Sequence, residues 1–321
     1  KWYQLSDDLQ ILCGKVTNDT DSWLQIKTKK HSILNTNDCV FSQSELNRLA
    51  QKIGQIDILL TQFSYANWVG NIDEIKKRKE SAIKKIEDMK TQIKVFNPKY
   101  IIPFASYIWF CNEDNFYMND SINKIDFVYR EIQKMPYVEA IVMYPGDHWD
   151  LSNTHFDSDQ ALRRYIIDYD NIYATPELIN NGSVDLENLN KAALKFITRS
   201  LLLNNKAKLN RYKPFSFFLT DHLISYSFSF KEGLKKADLS YEDCDISASS
   251  QSIKYLFDHL WGFSTLLISG RYQIPPNSTF KNFEEYSWIS TLNNQGKSLS
   301  HVLFRTLKKI RSLTKLFVLF C

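Results

Sequence analysis

The fold of this chain is decided by the stretch His31-Ser32-Ile33-Leu34-Asn35-Thr36-Asn37-Asp38-Cys39, in which an apolar strand pattern ends in an acid. The next strand pattern, Ile56-Asp57-Ile58-Leu59-Leu60-Thr61, opens into the polar segment 62–67. Polar side chains that follow buried strands are typical of ligand sites in α/β sheets, because ligands bind at the carboxyl ends of the strands. These two stretches therefore predict an α/β layer with its site at the strand ends.

Strands and helices alternate over residues 1–150. The helix predicted from Ser42 has an apolar face, and the long helix predicted from Asp73 carries lysine and glutamate on its outer face. The predicted elements are strands over 9–13, 22–27 and 31–36, a helix over 42–53, a strand over 56–61, a helix over 73–96, a strand over 100–103, a helix over 124–134 and a strand over 138–143. This alternation indicates a layered α/β fold.

The pattern changes in the second half of the chain. Helices predicted over 186–203 and 250–260 flank β-rich segments at 215–230 and 266–272, which indicates a smaller α+β module over 185–297. The polar stretch 151–184 is predicted to be a connector, and residues 298–321 are predicted to form a basic amphipathic helix.

Composition excludes several kinds of site. The chain of 321 residues has only 9 glycines and contains neither of the glycine-rich phosphate-binding patterns. Its net charge of +4 is too small to indicate nucleic-acid binding. The five cysteines form no CxxC or CxH pair, so they encode neither a zinc knuckle nor an iron–sulfur site, and because they are scattered and odd in number we expect a cytoplasmic protein. The first residue, Lys1, enters a strand pattern directly, from which we expect a fragment.

Several segments, taken in order, resemble the CMP-N-acetylneuraminate hydroxylases and their bacterial relatives, which join a Rieske domain to a metallo-β-lactamase-like domain. The segments are Asn35-Thr36-Asn37-Asp38-Cys39, Thr61-Gln62-Phe63-Ser64, Pro103-Phe104-Ala105 and Tyr144-Pro145-Gly146-Asp147. The resemblance implies that residues 1–150 are the C-terminal part of an αββα metallo-β-lactamase-like domain. It also implies that the HxHxDH metal motif, which this chain lacks, lies upstream of Lys1, with any Rieske [2Fe–2S] segment further upstream.

Two residues are candidate metal ligands. By the resemblance, Asp38 occupies the position of the metal-bridging aspartate, where a carboxylate holds zinc or iron and acts in catalysis. The alternative is an aspartate that only caps a turn. His148 follows a predicted buried strand and is a candidate last metal ligand, whereas the alternative is an ordinary loop histidine. The position near Thr17, where the family has a further histidine ligand, has none in this chain.

The predicted substrate-binding residues are polar side chains after strand ends or on the basic helix. They are Gln62, Ser64, Asn67, Arg78, Asn115 and Asn119. Amides and hydroxyls can hydrogen-bond a sugar or a nucleotide, and arginine can pair with phosphate or carboxylate. The alternatives are turn chemistry for the asparagines and a solvated helix face for Arg78.

The C-terminal stretch after Ser300 carries five basic residues and no acid, with an apolar stripe at helical spacing. Such a helix suits an anionic membrane surface or a partner protein, and the alternative is docking on its own domain.

These patterns leave three functions open. The first two are hydroxylation of the CMP-N-acetylneuraminate type, if a Rieske centre is present upstream, and metal-assisted hydrolysis of a sugar nucleotide or related anionic metabolite. The third is a non-catalytic binding domain whose metal site is degenerate.

Overall fold

A computed structural model of the chain describes residues 1–16, 21–152, 156–180 and 182–300. The chain forms two compact units. The first comprises Lys1–Val69, Glu74–Cys111 and Met118–Leu178, and the second comprises Gly70–Asp73, Asn112–Tyr117 and Ile179–Cys321. The predicted C-terminal basic helix falls almost wholly on residues 301–321, which lie outside the described residues.

The first unit is built on a seven-stranded sheet whose strands are ordered as they occur in the chain. Strands β1 to β4 pair antiparallel, and β4 to β7 pair parallel. Its elements are β1 (Tyr3–Ser6), β2 (Leu9–Lys15), β3 (Ser22–Thr28), β4 (Ser32–Asn35), α1 (Gln43–Ile53), β5 (Ile58–Thr61), α2 (Ile75–Phe96), β6 (Tyr100–Pro103), α3 (Ile125–Gln133), β7 (Glu139–Ala140) and α4 (Ser158–Ala174). The predicted α/β fold class is confirmed.

Local sequence explains where the two long helices begin and end. Helix α1 starts with a capping box in which Ser42 accepts from the Glu45 backbone and Glu45 accepts from the Ser42 backbone. The predicted Asp73 cap of helix α2 is wrong, because α2 begins after Glu74 without a side-chain cap bond. It ends at Asn97, which adopts the left-handed conformation that asparagine tolerates and that stops a helix.

One face of the sheet and the inner faces of the helices form the main core of the first unit. Leu34, Leu59 and Ile101 project from adjacent parallel strands and are fully buried there. Ile86 and Ile93 of α2 pack into the same core. This burial fixes the register of the strands, because a slip of one residue would turn every apolar side chain to the opposite face. The carboxyl ends of β4 and β5 are thereby held side by side.

The second unit contains a four-stranded sheet in the order β10-β9-β8-β11. Its elements are α5 (Leu186–Leu201), α6 (Lys206–Leu209), β8 (Phe215–Leu219), β9 (Ile224–Ser229), β10 (Gly233–Lys236), β11 (Ile246–Ala248), α7 (Ser250–Asp258), α8 (Gly262–Ser269) and α9 (Lys281–Asn294). The helices predicted near 186–203 and 250–260 are present. The strand predicted at 266–272 is wrong, because Gly262–Ser269 is helical and ends at the left-handed Gly270.

The stretch 151–184 differs from the polar connector that its composition suggested. It contains α4, which Asp157 caps by accepting from the backbone of Gln160. Ala161 and Leu162 of α4 are buried in the core of the first unit, so this helix is part of the layer over the sheet. Among the described residues, no helix is long and apolar enough to cross a membrane.

Candidate functional site

A cavity of about 320 Å³ opens at the carboxyl ends of β4 and β5 in the first unit. It lies between the start of α1 and the middle of α2, at the edge of the sheet where ligands of α/β proteins commonly bind. Its lining residues are Cys39, Val40, Phe41, Ser42, Gln43, Leu46, Gln62, Lys84, Asp88, Thr91 and Gln92. The cavity therefore includes one of the predicted substrate-binding residues, Gln62.

Gln62 joins the ends of the two strands. Its side chain is 6% exposed, and Nε2 donates a hydrogen bond of 2.6 Å to the backbone oxygen of Asp38. This bond orients the amide and holds the Asp38 loop beside β5. The Asp38 side chain is exposed to solvent, and its neighbour Cys39 lines the cavity.

The second amide in the cavity, Gln92, is a residue that sequence reasoning missed. Its side chain is 4% exposed, and Oε1 accepts a hydrogen bond of 3.0 Å from the Thr61 hydroxyl. The Thr36 hydroxyl lies 2.9 Å from the same oxygen and 3.0 Å from the Leu60 carbonyl, between which its one proton is shared. Met89 and Ile93 lie on the same buried stripe of α2. The sequence signal that could have identified Gln92 is a glutamine at helical spacing among the apolar residues of this stripe.

The charged groups on the cavity wall compensate each other. Lys84 and Asp88, one turn apart on α2, form an ion pair of 2.5 Å. The hydrogen bond to Asp88 raises the pKa of the Lys84 ammonium, so that it stays protonated. At the start of α1, the Glu45 carboxylate already binds the Ser42 backbone and hydroxyl. The cavity therefore offers a polar surface with paired charges.

Three predicted substrate residues of the first unit are engaged in contacts within the protein. Ser64 is fully buried and its hydroxyl accepts from the Asn123 backbone. Asn119 forms a reciprocal pair of hydrogen bonds with the Phe110 backbone. The buried Arg78 guanidinium forms a two-pronged ion pair with Asp120, with bonds from 2.7 to 3.1 Å. These contacts hold loops in place, and a role in substrate binding stays a prediction.

The remaining predicted residues lie outside the cavity. Asn67 is exposed and donates to the adjacent Trp68 carbonyl. Asn115 belongs to the second unit, where it donates to the Ser269 carbonyl and accepts from the Asn112 backbone. The structure thus brings only Gln62 of the predicted substrate residues into this cavity.

The donor set that zinc or iron would need is not assembled by the described residues. His148 and Asp38 are not brought together with further ligands, and Asp147, the neighbour of His148, is bound by Arg164 and by the Tyr144 backbone. Within residues 1–16, 21–152, 156–180 and 182–300, no group of three histidine, cysteine, aspartate or glutamate side chains could hold a metal ion. Thr17, near which the family has a histidine ligand that this chain lacks, lies outside the described residues.

No protein-family model and no curated protein matches the chain. Two solved structures of the β-hydroxylase CmlA show weak similarity. The E377D mutant is 11% identical, with a TM-score of 0.31 over 45% of this chain and 31% of that chain. CmlA from Streptomyces venezuelae, a diiron β-hydroxylase, is 12% identical, with a TM-score of 0.29 over 44% of this chain and 32% of that chain. Matches this weak and partial assign no function to the chain.

Proposed function

We propose that the first unit binds a small polar metabolite in the cavity at the ends of β4 and β5. The observation that supports this most is the placement of Gln62, a residue predicted from sequence, in a cavity at the carboxyl edge of a parallel sheet. The resemblance to the CMP-N-acetylneuraminate hydroxylases makes a sugar nucleotide, or another anionic metabolite with a polar moiety, the proposed class of ligand.

The size and the lining of the cavity support small-molecule binding. Ligand pockets span roughly 300–1,000 Å³ and combine apolar walls with a few fixed polar groups. This cavity, of about 320 Å³, has an apolar wall of Val40, Phe41 and Leu46 and a polar wall that contains Gln62 and Gln92. The volume is at the lower end of that range, so part of a sugar nucleotide would extend outside the cavity.

Filling the cavity should abolish binding. Val40 is 54% exposed and lines the cavity, so Val40→Trp places an indole there at little cost in stability. The probes are CMP, CMP-N-acetylneuraminate and UDP-glucose, and binding is measured by ligand-observed NMR. We expect at least one of them to bind the unmodified protein. Its affinity should fall by more than about tenfold in Val40→Trp, which corresponds to about 1.4 kcal/mol.

Ile75→Trp is the matched control, because Ile75 is 42% exposed on α2 and does not line the cavity. If a nucleotide ligand binds and neither variant changes its affinity, its site lies outside this cavity. No binding of any of the three ligands would contradict the proposed class.

A metal-dependent activity is the second candidate, and one observation favours it. Asp38 lies in the loop three residues after the end of β4, and its carboxylate makes no hydrogen bond or ion pair with any residue that the structure describes. Hydrolysis or hydroxylation would need further ligands to join it. If this chain supplies them, purified protein should retain about one equivalent of zinc or iron by elemental analysis, and Asp38→Asn should lose it. A metal-free protein that binds no added zinc or iron would contradict this candidate.

A further inference from the structure

We propose that Gln62 and Gln92 together select an uncharged ligand group that both accepts and donates a hydrogen bond, such as a carboxamide or an N-acetyl amide. The inference deepens the proposed function, because it rests on ligand binding in the same cavity. It goes beyond the proposed function because it names the chemical group that the two amides recognise and assigns a role to Gln92.

Gln62 presents an acceptor to the cavity. A backbone carbonyl can only accept, so the atom of Gln62 that bonds the Asp38 carbonyl must be the nitrogen. The amide oxygen is therefore turned away from that bond. This oxygen forms no hydrogen bond with a described residue and is not enclosed, so it is available to a ligand donor in the cavity that the side chain lines.

Gln92 presents a donor to the same cavity. The Thr61 hydroxyl has no acceptor among the described residues other than Gln92, which sets the amide oxygen toward the two threonines. The nitrogen is left pointing away from them, and it forms no hydrogen bond with a described residue. It is not among the fully enclosed unpaired atoms of that part of the chain, so it reaches the open space of the cavity.

The two orientations are fixed by the fold. Thr36 and Thr61 end or follow adjacent parallel strands and are both fully buried. The Thr61 hydroxyl donates to the Gln92 oxygen, and the Thr36 hydroxyl lies 2.9 Å from it. Gln62 is held by a bond of 2.6 Å to the neighbouring strand end. A donor and an acceptor with fixed positions discriminate strongly between ligand groups, because a mismatched group leaves a buried polar atom unpaired.

The charge of the cavity favours a neutral group over an oxyanion. Its one lysine, Lys84, is paired with Asp88, which also lines the wall. A carboxylate or phosphate in the cavity would meet the Gln62 oxygen without an uncompensated cation to offset the repulsion. An amide instead donates its N–H to Gln62 and accepts from Gln92 through its carbonyl. In an anionic metabolite, the charged part would therefore lie outside the cavity.

Matched pairs of probes test this selection. Nicotinamide and nicotinate share a ring and differ in carboxamide against carboxylate, and glucuronamide and glucuronate share a sugar ring and differ in the same group. We expect at least one amide probe to bind, by ligand-observed NMR, about tenfold or more tightly than its carboxylate counterpart. Its binding should be lost in Val40→Trp.

Gln92→Glu separates recognition from folding. The Thr61 hydroxyl can still donate to one carboxylate oxygen and favour the ionised form, while the amide donor of residue 92 is replaced by an acceptor. We expect this variant to weaken amide binding by about tenfold or more at pH 8. Gln51→Glu, the same change at an exposed position of α1, should leave binding unchanged. If Gln92→Glu does not fold, Gln62→Leu serves as the second variant and should show the same loss.

The outcomes separate this inference from the proposed function. Equal binding of the amide and carboxylate probes, or full amide affinity in a folded Gln92→Glu protein, would overturn the role of the two glutamines. In either case, binding of a nucleotide ligand that Val40→Trp abolishes would leave the cavity as the ligand site. If no probe and no nucleotide binds, both proposals are wrong.

Discussion

Replacing Arg78 with methionine should lower the free energy of unfolding by about 2 kcal/mol, less than the loss of a partner from a fully buried ion pair costs, because the Asp120 side chain reaches solvent. The Arg78 side chain is 1% exposed, and its guanidinium contacts both carboxylate oxygens of Asp120. Methionine fills a similar volume without a donor, so the Asp120 carboxylate loses its bonds from Arg78 and keeps that from the Ser121 hydroxyl. Urea unfolding followed by circular dichroism measures the loss.

Arg130→Met is the matched control for this prediction. Arg130 pairs with Asp126 across one turn of α3, but its side chain is 61% exposed. Solvent screens such a pair, so its loss should cost no more than about 0.5 kcal/mol. If the two substitutions lower the free energy of unfolding equally, the ion pair of Arg78 contributes no more to stability than a surface ion pair does.

The ion pair of Arg78 and Asp120 also shows why the sequence alone did not predict the roles of the site residues. The run Lys76-Lys77-Arg78-Lys79 looks uniformly basic and solvated, but Arg78 alone turns inward. Its partner, Asp120, is 42 residues away in the chain, and no local pattern links the two. Ser64 and Asn119 are similar, since polar residues near strand ends are as suitable for holding loops as for binding a ligand.

The fold was more predictable than the site, because local signals determine where elements start and stop. The helix over residues 42–53 has a capping box, and the strand predicted over 100–103 is the observed β6. The failure at 266–272 has a physical reason: Leu-Leu-Ile is compatible with a strand or a helix, and Gly270 and the buried pair Phe263 and Leu266 select the helix. Gln92 was missed because its two threonine partners meet it only in the folded unit.

Replacing Phe215 with alanine should lower the free energy of unfolding of the second unit by about 3–5 kcal/mol. Phe215 of β8 is fully buried, and its ring centroid lies 4.9 to 6.3 Å from those of six other aromatic residues. These neighbours come from strands β8 and β9 and helices α7, α8 and α9. They are Phe217, Phe228, Phe257, Phe263, Phe283 and Tyr286.

The expected loss is large because the ring contributes both burial and edge-to-face contacts, such as that with Phe283 at 82°. Elements anchored on several sides cannot all move inward, so alanine leaves a cavity that only partly collapses. Phe127→Ala is the control, because Phe127 is 40% exposed on α3 and its loss should cost less than about 1 kcal/mol. Urea unfolding midpoints that shift equally for both variants would mean that Phe215 does not organise this core.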